Sequence, residues 1–365
     1  MSKIRRRGFL KSASIAAAAA GVGAINSCST EKKNESASIH TQKKYEWRMV
    51  TSWPPKFPIL GEYAELIAKW IDEMSSGRLK IQVYGSGELV PAFEVFDAVS
   101  LGAAEMGHAA AYYWAGKAPA AQFFATVPFG MTARQMNAWL YFGGGLELWR
   151  ELYSDFNLVP FPCGNTGGQM GGWYNREMNS VNDLDGLKIR MPGLGGKVIT
   201  KAGATTVLSP GGELYTNLER GVIDGLEWIG PYHDYLMGFH KIAKYYYYPG
   251  WHEPCANLEL TINKDAYSKL PTDLKAIVKT AAQASNVMIL SAFDVKNFEY
   301  FEKLKNEEEV AFRKFPNKLL LILKTYADEV FEEISETSTI SRKVFESYDK
   351  FQKKMNSWHK ISERE

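Results

Sequence analysis

Two carboxylates stand beside bulky apolar groups in this chain. Glu227 lies between Leu226 and Trp228 in GVIDGLEWIGPY (221–232), and Glu253 follows Trp251 and precedes Pro254 in PGWHEP (249–254). An unpaired buried carboxylate costs several kcal/mol or gives up its charge, so something positive is expected to meet each of them. Arg190, in LKIRMPG, can meet a carboxylate through two parallel hydrogen bonds and never loses its charge. On the residues alone, a surface salt bridge is the simpler account of Arg190. Gln169 adds a further oxygen donor, and an oxygen-only set favours a hard cation. No Cys/His cluster has zinc spacing: His233 and His240 are seven apart and His252 stands alone. Asn165 lies in CGNTGG, where glycines let backbone approach a small ligand and its amide could donate to a carboxylate; a turn residue is the alternative. Tyr113, in AAYYW, carries a hydroxyl that suits the same ligand, or belongs to the core. Trp228, Trp53, Tyr112 and Phe93 are candidate pocket walls and read almost as well as core residues.

These groups must be held by ordinary folded structure. The chain has 365 residues, enough for two lobes with their own cores, and its 45% hydrophobic and 23% charged content is that of a globular protein. Aromatics reach 13%, with 10 Trp, which suits ligand pockets and interfaces. The formal net charge of +2 carries no footprint of nucleic-acid binding.

Residues 1–28 are set apart as an export signal. Arg6-Arg7-Gly8-Phe9-Leu10-Lys11 matches a twin-arginine pattern, and a mild apolar run from Ser12 to Ile25 follows. Five of the 43 cations and none of the acids fall here, so the remainder is formally −3. Ile25-Asn26-Ser27-Cys28 resembles a lipobox, with lipidation at Cys28, although Asn26 is unusual there; soluble export with cleavage nearby is the alternative. Residues 29–44 are polar and read as a flexible linker. Cys163 and Cys255 could pair in an oxidising compartment, or be two small buried residues, the reading favoured here.

Alternation predicts strands at 45–53 and 79–85, and helical spacing predicts a helix over 60–75 stopping near Gly77. A helix is expected over 91–107, then an extended segment to Trp114. A helix from Thr132 to Tyr153 is interrupted by Gly143-Gly144-Gly145. Residues 158–175 read as a strand, 180–193 as a short helix and a strand ending in Arg190, 195–209 as helix then strand, and 212–230 as helix then a strand carrying Glu227. A strand returns through 245–271, and 272–308 and about 317–360 read as two long helices. This is an α/β layered chain: lobe 1 at 45–163, lobe 2 at 164–254, a return strand and long helix at 255–310, and a helical region at 311–365. Two lobes joined by extended crossings make a cleft that closes on a hinge.

ELVPAFEVFDAVSLGAAEMGHAAAYYW, ATVPFGMTARQMNAWLYFGGGLELW, PCGNTGGQMGGWYNREMNSVNDLDGLKIRMPGLGGKV and LEWIGPY…YYYYPGWHEP resemble the extracytoplasmic substrate-binding subunits of tripartite ATP-independent periplasmic (TRAP) transporters. Among these the chain is most similar to members that bind 2-oxo acids and lactate with a metal ion. The resemblance runs from about Tyr45 to the C-terminal helix. It implies a two-lobed periplasmic binding protein fold of type II-like form, with a central cleft, hinge crossings and long C-terminal helices.

The resemblance also implies roles. Arg190 would clamp the ligand carboxylate, with Asn165 and Tyr113 as further contacts. Gln169, Glu227, Glu253 and the Trp228 carbonyl would hold the metal, and the ligand's carboxylate and 2-oxo oxygen would complete its shell. Two protein carboxylates and one ligand carboxylate against Arg190 leave neutrality for a divalent ion, which favours Ca²⁺. The likeness to sodium-dependent members favours Na⁺, named first. One Arg, a metal and bulky walls suit a small monocarboxylate: pyruvate, 2-oxobutyrate or lactate. The expected partners are this small carboxylate and the TRAP membrane subunits, with a homodimer built on the C-terminal helices, and no nucleic acid. The expected location is the periplasm or the outer face of the cytoplasmic membrane.

Two other readings use the same residues. One is a metal-dependent enzyme acting on 2-oxo acids, against which no activated Ser, Cys or Lys motif is present. The other is a ligand sensor for a membrane receptor, with the same pocket.

Overall fold

The computed structural model describes residues 43–362 apart from Glu308. The twin-arginine segment, the lipobox at Cys28 and residues 29–42 of the expected linker lie outside the described residues. In chain order the elements are β1 (Tyr45–Thr51), α1 (Leu60–Met74), β2 (Leu79–Tyr84), α2 (Val95–Ser100), β3 (Met106–Ala109), α3 (Ala133–Phe142), α4 (Gly145–Ser154), β4 (Leu158–Asn165), β5 (Gly172–Tyr174), β6 (Lys188–Arg190), α5 (Gly193–Lys201), β7 (Thr205–Val207), α6 (Leu214–Glu219), β8 (Gly225–Leu226), α7 (Pro231–Leu236), β9 (Tyr245–Tyr248), β10 (Asn257–Asn263), α8 (Lys264–Ser268), α9 (Thr272–Lys305), β11 (Ala311–Lys314), α10 (Asn317–Ser335) and α11 (Thr339–Ser362).

Among the described residues the strands form two sheets. The first has five strands in the order β2-β1-β3-β10-β4, and the second has six in the order β11-β9-β5-β8-β6-β7. β1 runs parallel to both β2 and β3, while β10 lies antiparallel between β3 and β4. The chain leaves the first sheet after Asn165, builds most of the second, and returns at Asn257.

Local chemistry explains the elements that frame the site. In α1 the residues Leu60, Ala64, Ile67, Ala68 and Ile71 recur at helical spacing and are buried. Burying each of the larger ones stabilises the fold by about 1.5–3 kcal/mol. Ala64, Ile67 and Ile71 share their core with Trp47 and Met49 of β1 and Leu274 and Val278 of α9. The Glu62 carboxylate accepts from the Ile59 N–H at 2.9 Å, which satisfies an amide at the helix start. α3 begins on a reciprocal pair: the Thr132 hydroxyl accepts from the Gln135 N–H, and the Gln135 side chain accepts from the Thr132 N–H.

The C-terminal helices join the two halves. α9 packs on β4 and α1 of the first half and on α7 of the second. α10 packs on α5, and α11 packs on α3 and α4.

Several expected elements differ. The helix over 91–107 shrinks to α2, because Pro91 and the Gly102 turn (φ 76°) bound it. The extended segment to Trp114 is a short strand followed by a 3₁₀ turn at Ala111–Trp114. The single strand over 158–175 is β4 and β5, in different sheets. Glu227 stands just past the two-residue β8 rather than within it. β11 was not foreseen, and the last long helix is two, α10 and α11, separated after Ser335. Cys163 and Cys255 are both buried and free, as the favoured reading had it.

Candidate functional site

Arg190 closes β6 and is 1% exposed, so its charge must be met within the protein. Its Nη1 donates to Glu227 Oε1 at 2.7 Å and to the Glu227 carbonyl at 3.0 Å. Its Nε donates to the Ser209 carbonyl at 3.4 Å. Its guanidinium carbon lies 5.0 Å from the centre of the Trp228 ring. Its Nη2 is buried with no partner. Glu227 takes a second bond on its other oxygen, from His252 Nε2 at 3.1 Å.

Three loops bring the remaining groups to this pair. The Gln169 N–H donates to the Glu253 carbonyl at 3.3 Å, and the Gly250 N–H donates to the Gln169 carbonyl at 3.1 Å. The Met170 N–H donates to the Ile229 carbonyl, and the Glu227 N–H to the Arg190 carbonyl. Two glycines make this approach feasible. A Cβ on Gly250 would stand 2.3 Å from the Gln169 carbonyl oxygen, and Gly167 takes φ +69°, which side-chain-bearing residues rarely adopt.

Glu253 is buried beside this cluster. Its carboxyl is pushed well above the ordinary carboxylate range, first by burial and then by the Glu227 charge, while Arg190 and the Gln169 side chain pull the other way. Glu253 Oε2 and Gln169 Oε1 are buried acceptors with no partner. Gln169 Nε2 donates to the Thr166 hydroxyl at 3.0 Å. Asn165 ends β4 beside the Cys255 thiol; its Oδ1 accepts from the Gly167 N–H at 2.9 Å, and its Nδ2 is a buried donor with no partner. Buried polar atoms are otherwise nearly always satisfied. Here two donors, on Arg190 and Asn165, two acceptors, on Gln169 and Glu253, and the second ring nitrogen of His252 are left open in one neighbourhood.

The aromatic residues named from the sequence gather on the first-sheet side. The Tyr113 ring is half-buried and lies 4.9 Å from Phe93, 4.8 Å from Tyr112 and 6.3 Å from Trp53. Burial raises the pKa of the Tyr113 hydroxyl, while Arg190 opposes the rise, so the two face one region. A cleft of about 570 Å³ opens outward between Tyr112 and Tyr113 on one side and Met191 and Lys197 on the other.

Arg190, Glu227, Glu253, Gln169, Asn165, Tyr113 and Trp228 are thus brought together. The direct Arg190–Glu227 pair differs from the sequence-based expectation, which set them on separate targets. Its cause is burial: the guanidinium has few acceptors available and takes the nearest carboxylate. His252 was missed. Its neighbours in sequence gave it no zinc-like spacing, and only the fold carries it 25 positions back to Glu227. Among the described residues no three His, Cys, Asp or Glu side chains cluster to hold a metal. The open acceptors, one carboxylate and one amide oxygen, suit a hard cation that takes further oxygens from backbone and ligand.

Residues 49–338 match the profile of the bacterial extracellular solute-binding proteins, family 7. The chain belongs to that family. It is therefore a periplasmic-type solute-binding protein of a transporter and not an enzyme. It is 40% identical over 362 residues to the monocarboxylate 2-oxoacid-binding periplasmic protein of Nostoc sp. (strain PCC 7120), covering 99% of this chain and 97% of that one. Among solved structures, a TRAP periplasmic solute-binding protein from Pseudoalteromonas atlantica with bound sodium and pyruvate is 43% identical, with TM-score 0.85, over 87% of this chain and 97% of that one. A second, from Colwellia psychrerythraea with bound calcium and pyruvate, is also 43% identical, with TM-score 0.86, over 88% and 98%. The two-lobed periplasmic binding protein fold expected from the sequence is the fold of this family member.

Proposed function

We propose that this solute-binding protein takes a small 2-oxo or 2-hydroxy monocarboxylate, with pyruvate as the reference ligand and 2-oxobutyrate and lactate in the same class. The ligand binds together with one cation, sodium or calcium, and is delivered to TRAP membrane subunits. The observation that carries this reading is a group of open buried atoms around Glu227: Arg190 Nη2 and Asn165 Nδ2 as donors and Gln169 Oε1 and Glu253 Oε2 as acceptors, with His252 Nδ1 beside them. Donors of this kind suit a carboxylate, and the acceptors suit a cation. Glu227 and the Trp228 carbonyl would add to the cation's shell, and Tyr113 would reach the ligand from the other side.

Charge supports a small monoacid. Arg190 is the one buried Lys or Arg among the described residues, and Glu227 already engages it. A second ligand carboxylate would find no buried cationic side chain to meet it. The cation's part is electrostatic: it offsets the Glu253 and ligand charges in a dry site. The Nostoc relative and the two pyruvate-bound structures, similar along nearly the whole chain, support the same ligand class.

Calorimetric titration with pyruvate in calcium, in sodium, and after chelation and desalting tests the reading. Tight binding is expected with one of the cations and a loss of at least tenfold without either. Binding that is indifferent to the cation would remove the metal, and no binding of any of the three acids would remove the ligand class. Twin-arginine export and a lipid at Cys28 belong to this proposal on the strength of residues 1–28, and mass spectrometry of the membrane fraction tests the anchor. A homodimer on the end of α11, where Trp358 and Ile361 are exposed, also belongs to it and is tested by analytical ultracentrifugation.

A further inference from the structure

Trp228 has a second connection, through its indole N–H. Its Nε1–H donates to His233 Nδ1 at 3.3 Å, and His233 Nε2 meets the Pro58 carbonyl at 2.9 Å. The chemistry of the two ends fixes the imidazole. An indole N–H can only donate and a carbonyl can only accept, so Nδ1 is the acceptor and Nε2 carries the proton. His233 is fully buried, and its ring is held edge-on by Phe57 at 4.9 Å and by Phe293 of α9 at 5.0 Å.

The two ends of this connection belong to different halves of the protein. Pro58 lies between β1 and α1, which build the first sheet and its covering layer. Trp228 and His233 follow β8 of the second sheet. Phe57 reinforces the contact, with its ring 6.2 Å from Trp228 at 88°. The backbone that offers the Pro58 carbonyl is itself unusual. The Leu60 N–H donates to the same carbonyl at 2.6 Å, closing a tight turn on Ile59 at φ 56°, ψ −63°. β-branched residues rarely take positive φ, and strained turns of this kind persist where surrounding contacts hold them, notably at ligand clamps.

We propose that His233 is a positioning residue that ties the orientation of Trp228 to docking of the Phe57–Ile59 turn, and so couples ligand binding to closure of the two halves. The inference rests on the binding reading above, in which Trp228 belongs to the site. The Trp228 orientation that faces Arg190 is the one that bonds His233, and the His233 position that bonds Trp228 is the one that receives Pro58. Ligand that favours the first arrangement favours the second, and the coupling acts equally in reverse.

His233→Phe keeps an aromatic ring and removes both hydrogen bonds; His233→Gln keeps a donor for Pro58. Two measurements are made on the full chain: hydrogen exchange of the peptide covering residues 57–63 without ligand, and small-angle scattering during titration with pyruvate and calcium. For His233→Phe the expectation is faster exchange in 57–63 and compaction only at about tenfold higher pyruvate, the scale of one lost buried hydrogen bond. For His233→Gln both effects shrink to a few-fold. Folded His233→Phe protein that matches wild type in both measurements would overturn the proposal. Should His233→Phe not fold, His233→Gln decides: exchange in 57–63 and the pyruvate midpoint for compaction both shifted a few-fold support the proposal, and values equal to wild type overturn it. Wild-type protein that does not compact with pyruvate sinks the ligand reading instead, and the exchange comparison still decides whether His233 holds the Phe57–Ile59 turn.

Discussion

Arg190 and Glu227 face each other at 2.7 Å, with both side chains 1% exposed. The carboxylate is shared: Arg190 holds one oxygen and His252 the other. Removing one partner of a buried ion pair strands the other, a loss of about 3–5 kcal/mol. Arg190→Met is expected to lower thermal stability by about this amount and to abolish pyruvate binding. Calorimetry and a melting curve check both, and near-normal affinity would remove Arg190 from the ligand.

His252 carries a smaller expected effect, because Arg190 still holds Glu227 when it is gone. His252→Phe should weaken pyruvate about ten- to a hundredfold, the scale of one buried hydrogen bond to a charged group. A titration of this variant beside Arg190→Met reads the order, and His252→Phe proving the more damaging would reverse the assignment of the main anchor.

Glu253→Gln separates stability from binding. Without a cation, burial and the Glu227 charge favour the neutral carboxyl of Glu253, and a glutamine imitates that form. In chelator the variant should melt at or above the wild-type temperature. In calcium the wild type alone should gain stability, by about 2.7 kcal/mol at a hundredfold excess over Kd. Equal calcium shifts in both proteins would take Glu253 out of the cation's shell.

A different carboxyl sets a pH dependence. Glu259, deep in the first half, accepts from Trp114 Nε1 at 2.5 Å and from the Tyr153 hydroxyl at 2.8 Å. Burial nevertheless raises its pKa from 4.5 to about 7. The folded chain therefore binds this proton more tightly than the unfolded chain. The stability it contributes is complete below about pH 4.5 and is lost as the pH rises through 7. Glu259→Gln, whose amide can serve both partners, should flatten this slope and raise stability at pH 8 by a few kcal/mol, at roughly 1.4 kcal/mol per unit. Urea melts of the two proteins at pH 5 and pH 8 measure the difference, and parallel pH profiles would show that Glu259 does not titrate there.

Much of the frame was legible because it is local. The spacing of Leu60, Ala64, Ile67 and Ile71 marks α1 without reference to anything distant, and LKIR marks the strand that ends in Arg190. The site residues were legible for another reason: a carboxylate next to Trp228 makes little sense without a charge to meet it. What stayed hidden depends on distant partners. His252 looks isolated until the fold returns it to Glu227, and the pairing of Arg190 with Glu227 joins positions 37 apart. β11 is four residues whose strand character comes from β9 beside it, a parallel pairing that no local pattern announces. The positive φ of Ile59 runs against the preference of its own side chain, so only its contacts explain it.

Neither sheet is made from a continuous stretch of chain. Among the described residues β10, at 257–263, is the only strand paired with β4, at 158–165, and the second sheet takes its edge strand β11 from residues 311–314. During synthesis the ribosome must deliver over two-thirds of the polypeptide before β4 has anything to pair with. Five of the six strands of the second sheet lie within residues 172–248, so that half can pair its strands while the first still waits for β10. A nascent chain stopped near residue 250 would already hold Arg190 and Glu227 while lacking the strand that completes the wall behind Asn165.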